Sequence, residues 1–212
     1  MSVAAELYLI VEPGPDCEAR LAAALATGLA QSVLIRPAEG TALDASAAKR
    51  LVGMIQAAKA AALIADDAAL ARALKADGVH LTWSKDQQRR YGEARDILGP
   101  RFIVGVDAGR SRHDAMSLGE AGADYIGFGI PPHVEDRDTA IARRRGLVAW
   151  WAEIFEIPCV AFDVEVAEEA ARLASVRADF VALTLSSGAT PEAVRAAVED
   201  FAKATTLPKV PA

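Results

Sequence analysis

The stretch Tyr125-Ile126-Gly127-Phe128-Gly129-Ile130-Pro131-Pro132 starts as a short apolar run and ends in glycine and proline. An uninterrupted apolar run of this length reads as a strand buried on both faces, and the glycines allow a tight turn or a close backbone approach after it. Seven other runs have the same character: Leu7–Val11, Ser32–Arg36, Ala62–Ile64, Gly78–Leu81, Phe102–Val106, Cys159–Phe162 and Phe180–Leu183. Between them the apolar residues recur at helical spacing, as in Asp16–Gly28, Asp44–Ala60 and Asp67–Lys75. The last helix is marked by Thr190 as cap and Pro191 in the first turn, with Val194, Ala197, Val198 and Phe201 on one face. Eight alternations of strand and helix in 212 residues predict an α/β fold, a single (β/α)8 TIM barrel forming one domain over residues 1–212. An open doubly wound sheet is the alternative. It usually carries a glycine fingerprint after its first strand, whereas Val11 is followed by Glu12-Pro13-Gly14-Pro15. The segment from Pro131 to Arg145 reads as an irregular surface loop.

Composition narrows the function. Net charge is −6, from 23 basic and 29 acidic residues, which argues against a broad nucleic-acid surface. No apolar run reaches the roughly 20 residues a membrane helix needs, and the start has no basic, signal-like segment. Two cysteines, Cys17 and Cys159, make no disulfide framework, and a reducing cytoplasm is the expected location. No histidine pair has metal-ligand spacing, and no nucleophile elbow or P-loop is present.

In such a barrel, ligands bind at the C-terminal strand ends. Asp66 and Asp67 follow the third strand; paired carboxylates there suit Mg²⁺, and acids at a helix start also serve as caps. Asp86, after the fourth strand, is a second candidate ligand or a first-turn acid. Arg36 ends the second strand, where a guanidinium grips a phosphate or joins a surface ion pair. Gly127 and Gly129 offer close backbone approach. His133, Arg137 and Arg143-Arg144-Arg145 give the following loop positive charge, either toward a ligand or as a solvated face. His80, inside the fourth strand, reads as a hydrogen-bonded core residue, and His113 as exposed.

Taken in order, these segments resemble the thiamine phosphate synthase family, including its thiazole tautomerase branch. The resemblance rests on Leu7-Tyr8-Leu9-Ile10, Ala76-Asp77-Gly78-Val79-His80-Leu81, Gly122-Ala123-Asp124-Tyr125-Ile126-Gly127-Phe128-Gly129 and Ile157-Pro158-Cys159-Val160-Ala161, and runs over most of the chain. It implies a (β/α)8 barrel. For the synthase it implies Mg²⁺-assisted joining of a pyrimidine pyrophosphate to a thiazole phosphate in thiamine biosynthesis. On that basis Arg36 and Asp66 are the catalytic candidates, and Asp66 and Asp86 the Mg²⁺ ligands. Trp83, Gly127, Gly129 and Ser186 are the substrate-binding candidates.

Several positions depart from the family pattern. Leu34 and Ala38 flank Arg36 where the family has Gln and Lys, and Ala65 replaces the Asn before Asp66. Thr82-Trp83-Ser84-Lys85 replaces Gly-Gln-x-Asp, and Asp107-Ala108-Gly109 replaces Ser-x-His. Phe162 and Asp163 replace paired glycines, whose amides would approach a phosphate. Two expectations follow: a synthase-family enzyme with Mg²⁺, or a barrel that has lost the reaction and binds or transforms a different small molecule at its mouth. Trp150 and Trp151, read as opening helix six, offer a subunit contact, so a homo-oligomer is a further expectation.

Overall fold

The computed structural model describes residues 5–38, 40–131 and 134–206. Its strands are β1 (Glu6–Val11), β2 (Ala30–Ile35), β3 (Ala61–Ala65), β4 (Gly78–Leu81), β5 (Ile103–Asp107), β6 (Tyr125–Phe128), β7 (Cys159–Ala161) and β8 (Phe180–Thr184). Each is followed by a helix: α1 (Cys17–Leu25), α2 (Ala45–Ala57), α3 (Ala68–Leu74), α4 (Gln87–Leu98), α5 (Arg112–Glu120), α6 (Arg137–Ile154), α7 (Ala167–Ser175) and α8 (Pro191–Thr205). The strands pair in sequence order, all parallel, and β8 returns to β1 to close the barrel. The expected (β/α)8 architecture is therefore the observed one, and the open-sheet alternative falls.

Both faces of the strands are buried, which is why they read as unbroken apolar runs. One face packs beneath the helices through residues such as Leu9, Val33, Ile64, Val104 and Ile126. The other fills the barrel interior with Tyr8, Ile10, Leu34, Leu63, Tyr125 and Phe162. Gly105 is glycine for a packing reason, because a Cβ there would lie 1.9 Å from the Tyr125 ring.

A repeated dipeptide fixes the lower rim. Ala76-Asp77, Ala123-Asp124 and Ala178-Asp179 immediately precede β4, β6 and β8. Each aspartate reaches back to an amide at the start of the preceding strand. Asp77 accepts from Ala62 N–H at 2.8 Å, Asp124 from Val104 N–H at 2.8 Å, and Asp179 from Cys159 N–H at 2.9 Å. These amides would otherwise be left without partners at the strand entry.

Three expectations are corrected here. The segment expected to be loop up to Arg145 is helical from Arg137, because Asp136 caps α6 by accepting the Thr139 amide at 3.0 Å. The arginine run is not a uniformly solvated face: Arg144 is buried among core residues of α6. Trp150 and Trp151 lie near the end of α6 rather than opening it. Trp151 is fully buried and donates its Nε1–H to Ile157 O at 2.7 Å, so the two indoles do not form a joint exposed face. Among the described residues no helix is long and apolar enough to cross a membrane.

Candidate functional site

The odd strands each bring an acid to the barrel mouth: Glu12 just after β1, Asp66 after β3, Asp107 at the end of β5 and Asp163 beyond β7. A cavity of about 860 Å³ opens there, lined by Glu12, Arg36, Asp66, Arg137 and Asp163 among others. Arg36 and Asp66, the two expected catalytic residues, thus share one cavity. Each already has a partner. Arg36 Nη2 donates to Glu12 Oε1 at 2.7 Å. Asp66 Oδ1 accepts from the Thr82 amide at 2.8 Å and from Arg90 Nη2 at 2.5 Å, and Oδ2 accepts from Thr82 Oγ1 at 2.6 Å. Asp66 sits at φ 59°, a left-handed turn that aims its carboxylate across to the β4 end. Asp67 is the α3 cap, accepting the Leu70 amide at 2.8 Å.

Asp86 goes elsewhere. It occupies the N-cap position of α4, is largely exposed, and pairs with Arg89 at 3.4 Å. It lines a neighbouring depression of about 480 Å³ with Trp83, Lys85, Asp107 and His113, separate from the cavity holding Asp66. Trp83 is 49% exposed, and its indole lies over Gly109, where a Cβ would come within 2.5 Å of Cδ1. Gly109 at φ 62° therefore makes room for the indole. Among the described residues, no group of three or more His, Cys, Asp or Glu side chains is arranged to hold a metal ion.

The remaining expected binding residues are placed as follows. Gly127 accommodates Phe162, whose ring would lie 2.8 Å from a Cβ there. Gly129 sits between two carboxylates, since a Cβ there would be 2.9 Å from Asp163 Oδ2 and 3.1 Å from Asp107 Oδ2. Ser186 is exposed in the β8–α8 turn, and Thr184 lines the mouth cavity in its neighbourhood. Arg137 reaches the cavity and pairs with Glu165 at 2.5 Å. His133 lies outside the described residues.

Beneath the mouth, Phe162 covers a buried polar relay. Its ring centroid is 4.6 Å from that of His80 and 5.3 Å from that of Tyr8. Tyr8 and Tyr125 share a hydrogen bond of 2.8 Å, and Tyr125 Oη lies 2.9 Å from His80 Nδ1. Burial lowers the His80 pKa to about 4, so the ring is neutral near pH 7. The three groups form one chain of hydrogen bonds, whose donors run from Tyr8 to His80 or from His80 to Tyr8 according to the imidazole tautomer. His80 is the hydrogen-bonded core residue the sequence suggested, and His113 is exposed as expected.

The pair formed by Asp107 and Asp163 was not legible as a pair. Asp107 Oδ1 accepts from Gly109 N–H at 2.6 Å. Asp163, at φ 58°, accepts Ile130 N–H at 2.7 Å. Burial first, then the nearby negative charges of Asp163 and Asp66, push the Asp107 carboxyl up to about 7 against the pull of the Gly109 amide. The folded protein thus keeps a proton that the unfolded chain releases near the ordinary carboxyl value of 3.8. That contribution to stability is complete below the unfolded pKa and is lost as pH rises through about 7. Asp107→Asn keeps a neutral acceptor and removes the loss. Urea unfolding at about pH 5 and about pH 8 will show wild type losing on the order of 1–4 kcal/mol more than the variant. Equal losses in both proteins would remove the protonated Asp107 from the account.

A family model described as thiamine monophosphate synthase matches residues 7–186. The thiamine-phosphate synthase of Erythrobacter litoralis is 40% identical over 167 residues, covering 76% of this chain and 76% of the relative. That of Rhodospirillum centenum is 36% identical over 202 residues, covering 92% of this chain and 95% of the relative. Among solved structures, the thiamine phosphate pyrophosphorylase from Pyrococcus furiosus superposes with a TM-score of 0.74 at 24% identity, covering 94% of this chain and 95% of that one. A Mycobacterium tuberculosis tryptophan synthase structure gives a TM-score of 0.76 at 16% identity, over 97% of this chain and 94% of that one. At those identities the two structures speak to the fold alone. The family match runs from β1 to the turn after β8, and the Rhodospirillum centenum relative aligns across 92% of the chain. The chain belongs to the thiamine monophosphate synthase family.

Proposed function

We propose that this family member has given up the pyrophosphate-displacing synthase reaction and holds a less anionic small molecule at the barrel mouth. The observation that carries the reading is the Asp163 carboxylate on the Ile130 amide. Where the family has glycines whose amides face a phosphate, this chain has an anion already seated. A phosphate about 4 Å from that carboxylate would meet repulsion of about 4 kcal/mol at a surface-like effective dielectric of about 20. Phe162 adds a second barrier, because its ring closes the barrel interior over His80 and Tyr8.

The family generally uses Mg²⁺, and the residues here do not fit it. Asp66 accepts on both oxygens, and the Arg90 guanidinium held on one of them puts a positive charge where a cation would sit. Asp86 faces another depression, beside Lys85, whose charge repels a cation. At the border between the mouth and the Trp83 depression, Asp107 offers a carboxyl that holds a proton near neutrality, close to the Asp163 carboxylate across Gly129. That pair suits hydrogen bonding to a neutral or cationic ligand. The second reading, the orthodox synthase, rests on Arg36 and Asp66 lining one cavity. A cytoplasmic location accords with two free, buried cysteines. The test is a synthase assay with both family substrates and Mg²⁺, in which this protein stays at background while the Rhodospirillum centenum relative, run as control, turns over.

A further inference from the structure

We infer that a separate site for a small, multiply charged oxyanion lies outside the mouth cavity, between α5 and α6. A cavity of about 580 Å³ there is lined by Arg110, Ser111, Arg112, Arg143, Gly146 and Leu147. Three of these residues are arginine and none is acidic, in a chain whose net charge is −6. Among the described residues, none of the three takes part in an ion pair. Of the other exposed arginines, Arg50, Arg89 and Arg195 each hold a glutamate, whereas Arg72, Arg101, Arg172 and Arg177 stand singly and do not gather in one cavity.

The guanidiniums are also positioned. Arg112 lies over the Trp150 ring at 4.8 Å, a contact that orients the planar group while leaving its N–H edges free. Arg143 Nη2 donates to the Arg110 carbonyl at 3.2 Å, which ties α6 to the loop entering α5. Ser111 caps α5, so the positive end of that helix faces the same region. Asp114, in the first turn, lines the depression on the Trp83 side and not this cavity. Guanidiniums gathered without counter-charge repel one another, and an oxyanion with several acceptor oxygens relieves that repulsion while accepting paired N–H bonds.

The site is independent of the mouth, and one experiment separates the two. Inorganic pyrophosphate, without metal and at low ionic strength, is titrated calorimetrically into wild type, Arg112→Ala/Arg143→Ala and Arg36→Ala/Arg137→Ala. The altered residues in the first variant are exposed, and circular dichroism checks that each variant is folded. Wild type is expected to bind. The Kd is expected to rise about tenfold or more in the Arg112/Arg143 variant and to change by less than about twofold in the Arg36/Arg137 variant. No binding by wild type, or binding unchanged in both variants, overturns the rim site and leaves the reading of the mouth intact. Loss confined to the Arg36/Arg137 variant overturns the rim site and also shows that the mouth accepts pyrophosphate.

Discussion

Replacing Arg144 by alanine is expected to destabilise the protein by about 3–5 kcal/mol, whereas Arg143→Ala and Arg145→Ala stay within about 0.5 kcal/mol. The three residues are consecutive, yet only Arg144 is buried among them. Its guanidinium pairs with the buried Glu169 and donates to the carbonyls of Phe162 and Asp163, the latter at 3.0 Å. It therefore ties α6 to α7 and to the segment leaving β7. Burial lowers its pKa to about 10, which still leaves it charged at neutral pH. Alanine would strand the Glu169 carboxylate and two carbonyls without their partner. Urea unfolding checks the ranking. A loss below about 1 kcal/mol for Arg144→Ala would mean that water replaces the guanidinium at little cost. Arg144→Leu/Glu169→Leu should recover most of the loss, because removing both charges also removes the desolvation burden.

The second large effect is a gain. Asp163→Gly should raise the affinity of the mouth for pyrophosphate by about tenfold or more, measured in the Arg112→Ala/Arg143→Ala background so that the rim is silent. The substitution removes an anion from the mouth and frees the Ile130 amide. Backbone strain does not oppose it, since φ at this position is 58°, a left-handed value that glycine adopts readily. Calorimetry gives the affinity directly. Unchanged affinity would place the barrier in Phe162 and the shape of the mouth rather than in the carboxylate.

The strands were legible because a strand buried on both faces leaves an unbroken apolar run, and seven turns between eight such runs leave few alternatives. The sequence also carries a signal for strand entry. Ala-Asp stands immediately before β4, β6 and β8, and each aspartate binds the preceding strand's entry. The start of α6 is concealed because Pro131, Pro132 and a run of charged residues resemble loop composition. The cap at Asp136, three residues before Thr139, was the available cue. Burial of Arg144 was hidden by the arginines on either side of it. Helical spacing to Ala140, Leu147, Val148 and Trp151, all buried, would have exposed it.

The mouth was harder to read, because its pairs join distant loops. Asp66 was singled out, but its partner Arg90 sits 24 residues away on α4. Glu12 and Arg36 are likewise 24 apart and were read separately. Asp107 and Asp163 were noted as departures, and only closure of the barrel sets them on either side of Gly129. Periodicity reports which face of an element is buried, and carries no information about which loop ends meet across a barrel.

The most direct test of the central claim is thiamine phosphate formation by the purified protein, supplied with the pyrimidine pyrophosphate, the thiazole phosphate and Mg²⁺. The account predicts no product above background under conditions where the Rhodospirillum centenum relative is active. Turnover that is abolished by Asp66→Ala would contradict it, showing that Asp66 leaves Arg90 to serve the reaction and that the seated carboxylate of Asp163 does not bar phosphate from the mouth.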